Sequence, residues 1–314
     1  MLSIKKILFP TDYSACAEQA FSQAAYLAER YDAALHVLHV AQPSLILPPL
    51  DLTEADIAEA LHLPLPAPPV PEAQQAGEVS LLNVEVPPIK GSVERAILAY
   101  AAQEDIDLIV MGTHGGRALD RLLLGSVAGK VVRLAECPVF TVGFEAASWE
   151  QGRARRILAP VDFSEHARLA VAYAKDLAAT YGAHLDLLHV IEETAMTAAH
   201  GMEPIVVRVP DVEVQARQAL ERLAQEAGGP ETPYTVHVTV GHPAHEIAAF
   251  AERHRTDLIV IATHGLTGIK RLLLGSVAER VVHRAPCPVF TVKGFGKRLP
   301  TTWAAAEAAE APSL

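Results

Sequence analysis

Residues 111–127 read MGTHGGRALDRLLLGSV, and residues 261–277 read IATHGLTGIKRLLLGSV. The two stretches lie 150 residues apart, and each follows the same apolar run, DLIV, at Asp107–Val110 and Asp257–Val260. Outward from them the same offset relates CPVFTV at 137–142 to CPVFTV at 287–292. It also relates His39-Val40 to His189-Val190, and Lys6-Ile7-Leu8 to Arg156-Ile157-Leu158. Pro10, Asp12 and Ser14 recur as Pro160, Asp162 and Ser164. A period this long marks whole domains, not the roughly 20–50-residue units of a solenoid. Two copies of one domain are expected, over 1–145 and 153–296, with an Ala- and Glu-rich flexible tail over 297–314.

Within each copy, short apolar runs alternate with helical periodicity. In the first, Ile4–Phe9 reads as a buried strand ended by Pro10, and Ser14 caps a helix. Strands follow at Ala34–Val40 and Val79–Pro87, a helix at Val93–Gln103, and a nearly all-apolar strand at Ile106–Met111. Gly125-Ser126 opens a helix that runs to Leu134, and Val139–Val142 closes the copy. Strands apolar on both faces, alternating with helices, predict an α/β layer with a parallel sheet. Ligand sites of such sheets lie beyond the carboxyl ends of the strands, at the topological switch point. The copies differ between their second and third strands. Copy one has a short helix at Thr53–Leu61 and a stiff proline connector at Pro64–Pro71. Copy two has a longer helix at Asp211–Ala227. This crossover reads as a solvent-exposed connection, with a lid over a ligand as the sharper alternative.

The chain has 314 residues, 26 basic and 37 acidic, for a formal charge of −11. That balance argues against a general nucleic-acid binder and against docking on an anionic membrane. No apolar run approaches the roughly 18 residues of a membrane span. Three cysteines make no disulfide framework, and a cytoplasmic location is expected.

The chemistry concentrates after the fourth strand. Gly112, Gly115 and Gly125 let backbone N–H groups form an anion-binding concavity. Gly125-Ser126 offers a helix N-terminus, where unbonded N–H groups and the helix dipole favour phosphate. Neither a P-loop nor a GxGxxG turn is present. His39 and His189, within or at the end of a strand, read as packed, hydrogen-bonded residues. Cys137 and Cys287 read as small buried hydrophobes. No nucleophile–base pair has motif support.

The spacing of Gly112, Gly115 and Gly125-Ser126, with FPTDYS at 9–14, LHV at 38–40 and CPVFTV, resembles the universal stress protein family, in tandem and of its ATP-binding subclass. The resemblance implies a five-stranded parallel sheet of order 3-2-1-4-5 in each copy, the adenine nucleotide α-hydrolase-like arrangement. It implies nucleoside contacts at Pro10, Thr11 and Asp12, and adenine on the backbone of Val40. Met111, Gly112, His114, Gly115, Gly125, Ser126 and Val127 would surround ribose and phosphates. The second copy offers Pro160, Val161, Asp162, Val190, Ile261, Ala262, His264, Gly265, Gly275, Ser276 and Val277. Here Ala262 replaces the first glycine and Val161 replaces the threonine. The second loop is more basic, with Lys270 and Arg271 where the first has Asp120 and Arg121. ATP is the implied cofactor, with Mg2+ held through its phosphates. Universal stress domains pair through their last strands, so an intrachain pseudo-dimer is implied, and a homodimer of chains beyond it. The expected role is a stress-response regulatory module with at most slow ATP hydrolysis. The alternatives are an interaction module without nucleotide, acting on unknown protein partners, and an enzyme of related architecture.

Overall fold

The computed structural model describes residues 2–41, 79–85, 92–113, 124–143, 154–192, 210–263, 274–299 and 301. The first copy runs β1 (Lys6–Thr11), α1 (Ala15–Tyr31), β2 (Ala34–Ala41), β3 (Val79–Glu85), α2 (Val93–Gln103), β4 (Leu108–Gly112), α3 (Ser126–Leu134) and β5 (Val139–Val142). The second runs β6 (Arg156–Pro160), α4 (Glu165–Tyr181), β7 (His184–Glu192), α5 (Pro210–Glu226), β8 (Tyr234–Gly241), α6 (Pro243–Arg253), β9 (Leu258–Ala262), α7 (Ser276–Arg284) and β10 (Val289–Val292). The helix expected at 53–61 and the connector at 64–71 lie outside the described residues. Ser14 and Ser164 cap α1 and α4, accepting from the N–H of Ala17 (3.3 Å) and Ala167 (3.1 Å).

All ten strands form one sheet in the order β3-β2-β1-β4-β5-β10-β9-β6-β7-β8. Each copy is parallel and ordered 3-2-1-4-5. The two copies meet where β5 and β10 pair antiparallel, with Phe140 opposite Phe290. Thr141 and Thr291 donate their hydroxyls across this seam, to the carbonyls of Val289 (3.1 Å) and Val139 (3.0 Å). Successive strand residues face opposite sides. Ile7 and Phe9 pack with α1 in a core that continues into α4 and α5 of the second copy. Leu8 and Ile109 pack on the other side, with α2 and α3. Apolar side chains on both faces explain the near-continuous hydrophobic strands.

On the first of these faces the copies interlock through polar groups. Tyr26 stacks on Tyr181 with ring centroids 5.1 Å apart. The Asp176 carboxylate is fully buried and receives the Tyr31 hydroxyl and the Leu2 N–H, both at 2.9 Å. Donors on both oxygens make burial of this charge tolerable.

The flexible tail expected from 297 is corrected over its first residues. Lys297 pairs with Asp105 and Asp107, Leu299 is buried against Tyr173, and Thr301 bridges to Leu2. Buried apolar surface and a paired backbone hold this segment down. Among the described residues no helix is long and apolar enough to cross a membrane.

The aspartate of each DLIV run anchors the first strand of its copy. Asp257 Oδ2 accepts the N–H groups of Arg155 (2.7 Å) and Arg156 (2.8 Å), as Asp107 Oδ2 does those of Lys5 and Lys6. Two charge-assisted bonds on a half-buried acceptor lead us to expect Asp257→Ala to cost roughly 2–3 kcal/mol. Urea unfolding of the variant checks this, and Asp257→Asn, which keeps an acceptor, should lose less.

Candidate functional site

The alternation of backbone bonds along β1 decides where the sheet opens. Lys5 offers its carbonyl to Ala34 at the start of β2, whereas Lys6 offers its own to Asp107 just before β4. Odd-numbered residues of β1 therefore bond toward β2 and even-numbered ones toward β4. Pro10 is even-numbered and has no N–H, so the ladder to β4 cannot continue through it. The observed pairing to β4 stops at Leu8–Ile109, while pairing to β2 runs on to Thr11–His39. The second copy repeats this. Its β6–β9 pairing stops at Leu158–Ile259, Pro160 follows, and Val161 donates to the Leu188 carbonyl at 2.8 Å. A proline in a central strand thus ends the ladder and opens a crevice between β1 and β4, at the switch point. The sequence reading ended this strand at Phe9. The structure carries it to Thr11, because the β2 side needs no proline N–H.

Val40 and Val190 have the parity that turns backbone groups toward β1 and β6, just where those strands have ended. Met111 and Ile261 are buried, and Gly112 and Ala262 end their strands at the opposite lip. His114 and Gly115, in 114–123, and His264 and Gly265, in 264–273, lie outside the described residues, but the residues flanking both stretches are described. Thr113 donates its N–H to the Val142 carbonyl (2.9 Å) and accepts the Gly125 N–H on its own carbonyl (2.7 Å). Thr263, Val292 and Gly275 repeat this at 2.9 and 2.7 Å. The residues flanking each stretch are thereby joined, and the N-terminus of α3 or α7 is brought back to the end of its strand.

The first intrahelical bond of α3 runs from Gly129 to the Gly125 carbonyl, at 2.9 Å. The N–H groups of Ser126, Val127 and Ala128 consequently have no partner within the helix, and among the described residues no side chain caps it. The α7 end is built alike, with Glu279 bonding Gly275 and no side-chain cap. Ser126 and Ser276 are exposed. The Gly125 N–H, by contrast, is committed to Thr113 and does not serve as a ligand donor.

The reason for Gly112 also needs correcting. Its φ is not positive. A Cβ there would lie 3.1 Å from both the carbonyl carbon and the sulfur of Cys16, and 3.2 Å from the Ala17 nitrogen. Close packing against the start of α1 is thus a reason for glycine at 112. The methyl of Ala262 stands in a copy that has His166 in place of Cys16.

Asp12 and Asp162 shape the turn beyond the strand. One carboxylate oxygen accepts the N–H of Ser14 (3.1 Å) or Ser164 (3.0 Å). Between them Tyr13 and Phe163 adopt left-handed backbone, φ 61° and 62°. These two aromatics were not singled out from sequence. Tyr13 packs on His39 and Phe163 on His189, centroids 4.5 and 4.4 Å apart. His39 Nδ1 lies 2.9 Å from the Thr11 carbonyl and His189 Nδ1 2.7 Å from that of Val161, so each Nδ1 is the donor. Each histidine thus holds the end of its copy's first strand from the neighbouring one. Among the described residues no cluster of three metal-ligating side chains occurs. All three cysteines are buried and free.

The family model described as the universal stress protein family matches residues 3–143 and again 153–293. A universal stress protein of Mycolicibacterium smegmatis is 29% identical over 300 residues, 91% of this chain and 96% of its own length. One of Methanocaldococcus jannaschii is 34% identical over 144 residues, 44% of this chain and 82% of its own. Among solved structures, a universal stress protein from Archaeoglobus fulgidus has a TM-score of 0.61 at 24% identity, covering 93% of this chain and 97% of that one, a likeness of fold.

Proposed function

The chain belongs to the universal stress protein family, and we propose that each of its two domains binds ATP, as a regulatory module of a stress response. The observation that carries this reading is the uncapped N-terminus of α3 and of α7, returned to the end of a parallel strand beside an opened ladder. Phosphates would rest on the N–H groups of Ser126, Val127 and Ala128 and on the Ser126 hydroxyl, where the helix dipole favours negative charge. Adenine would lie across the end of β1 on the backbone of Val40, with Pro10 and Thr11 beneath and the Asp12 carboxylate toward the nucleoside. Ser276, Val277, Ala278, Val190, Pro160, Val161 and Asp162 would do the same in the second domain. His114, Gly115, His264 and Gly265 belong to the loops over the phosphates in this reading. Mg2+ would be held through phosphate oxygens and would screen their charge.

The donors in this arrangement grip bound phosphate as well as any transition state. Uniform binding of that kind gives affinity without turnover, so nucleotide occupancy is the output and hydrolysis is slow at most. Free buried cysteines fit a reducing compartment, the cytoplasm.

Titration calorimetry of Mg-ATP into the nucleotide-stripped full chain tests the reading. Two nucleotides per chain are expected. A single nucleotide would make the Ala262 domain structural. No heat and no competition with labelled ATP would overturn the proposal and favour an interaction module that works through protein partners.

A further inference from the structure

We propose that the two sites are inequivalent because the second domain clamps the phosphate-facing helix of the first, a clamp that the described residues of the first domain do not return. The clamp is read from contacts at both ends of α3. Only the consequence for nucleotide affinity rests on the function proposed above.

Lys293 is the residue after β10, and it reaches across the β5–β10 seam. Its Nζ donates to the Val132 carbonyl in the last turn of α3, and the side chain is buried. That carbonyl is one of those a helix cannot satisfy itself, and the cation complements the negative end of the dipole. At the other end, the Leu124 N–H donates to His283 Nδ1 of α7 across a long 3.4 Å. Leu124 immediately precedes Gly125. Lys297 ties down the neighbouring strand, donating from Nζ to the Asp105 carbonyl and Asp107 Oδ1, both at 2.7 Å, and from its backbone to the Glu136 carbonyl at 2.8 Å.

The duplication lets each contact be compared with its counterpart. One period earlier, Lys293 corresponds to Gly143, His283 to Arg133 and Lys297 to Ala147. Glycine has no side chain to send to Val282. A guanidinium has only donors and cannot accept the N–H of Leu274. Exposure follows the same asymmetry, since His283 is half-buried and Arg133 is exposed. The N–H groups that face phosphate in site one are therefore set in place from the other domain, whereas among the described residues those of site two have no matching contacts. A donor set fixed beforehand loses less on binding, so site one binds more tightly. By reciprocity, nucleotide in site one tightens the contact between the domains.

The test is amide hydrogen exchange and Mg-ATP titration on the full chain. Lys293→Met should speed exchange of the last-turn amides of α3 about tenfold and leave those of α7 unmoved. In a Gly275→Val background, which reports site one alone, it should weaken Mg-ATP about five- to tenfold. In a Gly125→Val background, site two should keep its affinity. His283→Leu, at a half-buried position the fold tolerates, should weaken site one about threefold, and His283→Gln, with an acceptor oxygen, should restore it. Equal effects on α3 and α7, or none on either, overturn the inference. Asymmetric exchange with no nucleotide bound in either background would leave the clamp standing and remove the nucleotide reading. Nucleotide bound with exchange and affinity unmoved would do the reverse.

Discussion

Gly125→Val is expected to weaken Mg-ATP binding at the first site at least about a hundredfold, with the fold retained, and Gly275→Val should do so at the second. The backbone at both positions is extended with negative φ, a region open to any L-residue. The bonds that close the loops use the N–H of Gly125 and Gly275 and the carbonyls of Thr113 and Thr263, so a side chain does not break them. A β-branched residue is a poor N-cap, which costs roughly 1 kcal/mol. Binding suffers far more. An isopropyl group at the N-cap stands beside the N–H groups of Ser126 and Val127, where the phosphate would sit. Losing one or two charge-assisted bonds accounts for a hundredfold or more. Calorimetry gives the stoichiometry and a thermal melt gives the stability. Unchanged affinity in both variants would mean that phosphate does not sit on these helices.

Lys293→Met should change how stability depends on pH. Burial lowers the Lys293 pKa from 10.5 to about 8 in the folded protein, with Cys137 a lesser opposing influence. Burial also pushes the Cys137 thiol up to about 12, so it stays protonated and gives the ammonium no counter-charge. Between about pH 8 and 10.5 the unfolded chain holds this proton and the folded chain has lost it. Stability contributed at this position therefore rises with pH across that window. Below it, the folded protein carries a buried cation held by a single carbonyl. The wild type should gain on the order of 3 kcal/mol relative to Lys293→Met between pH 7.5 and pH 10.5. Urea unfolding of both proteins at several pH values measures the difference. A constant difference would mean that the lysine is solvated in solution and the seam looser than described.

The duplication, the alternation of elements and the helix beginning at Ser126 were legible because periodicity and repetition are local signals. Of the candidate site, the helix start at Gly125-Ser126 was legible for the same reason, whereas Pro10 entered only through the family resemblance. The role of Gly112 was not. Its glycine answers to Cys16, nearly a hundred positions away, and spacing within a loop carries no trace of that contact. Tyr13 and Phe163 escaped notice because an aromatic side chain in left-handed backbone has no sequence signature. Lys293 and His283 fall where the two copies differ, and a search for repeats passes over such places. With hindsight, a lysine opposite a glycine at the end of a buried strand was a signal that something specific to one copy lay there.

By itself the sequence determined that the chain is two copies of one α/β domain and that a helix opens at Gly125-Ser126. Those follow from repetition, side-chain periodicity and helix-start signals, which can be read along the chain itself. Only the tertiary structure decided that β5 and β10 join the copies into one sheet, that α1 and α4 bury Asp176 between them, and that the second domain reaches back to hold α3. These contacts join groups some 145–174 positions apart. They depend on how two finished surfaces fit, and two copies of one fold can fit asymmetrically once side chains at the seam differ.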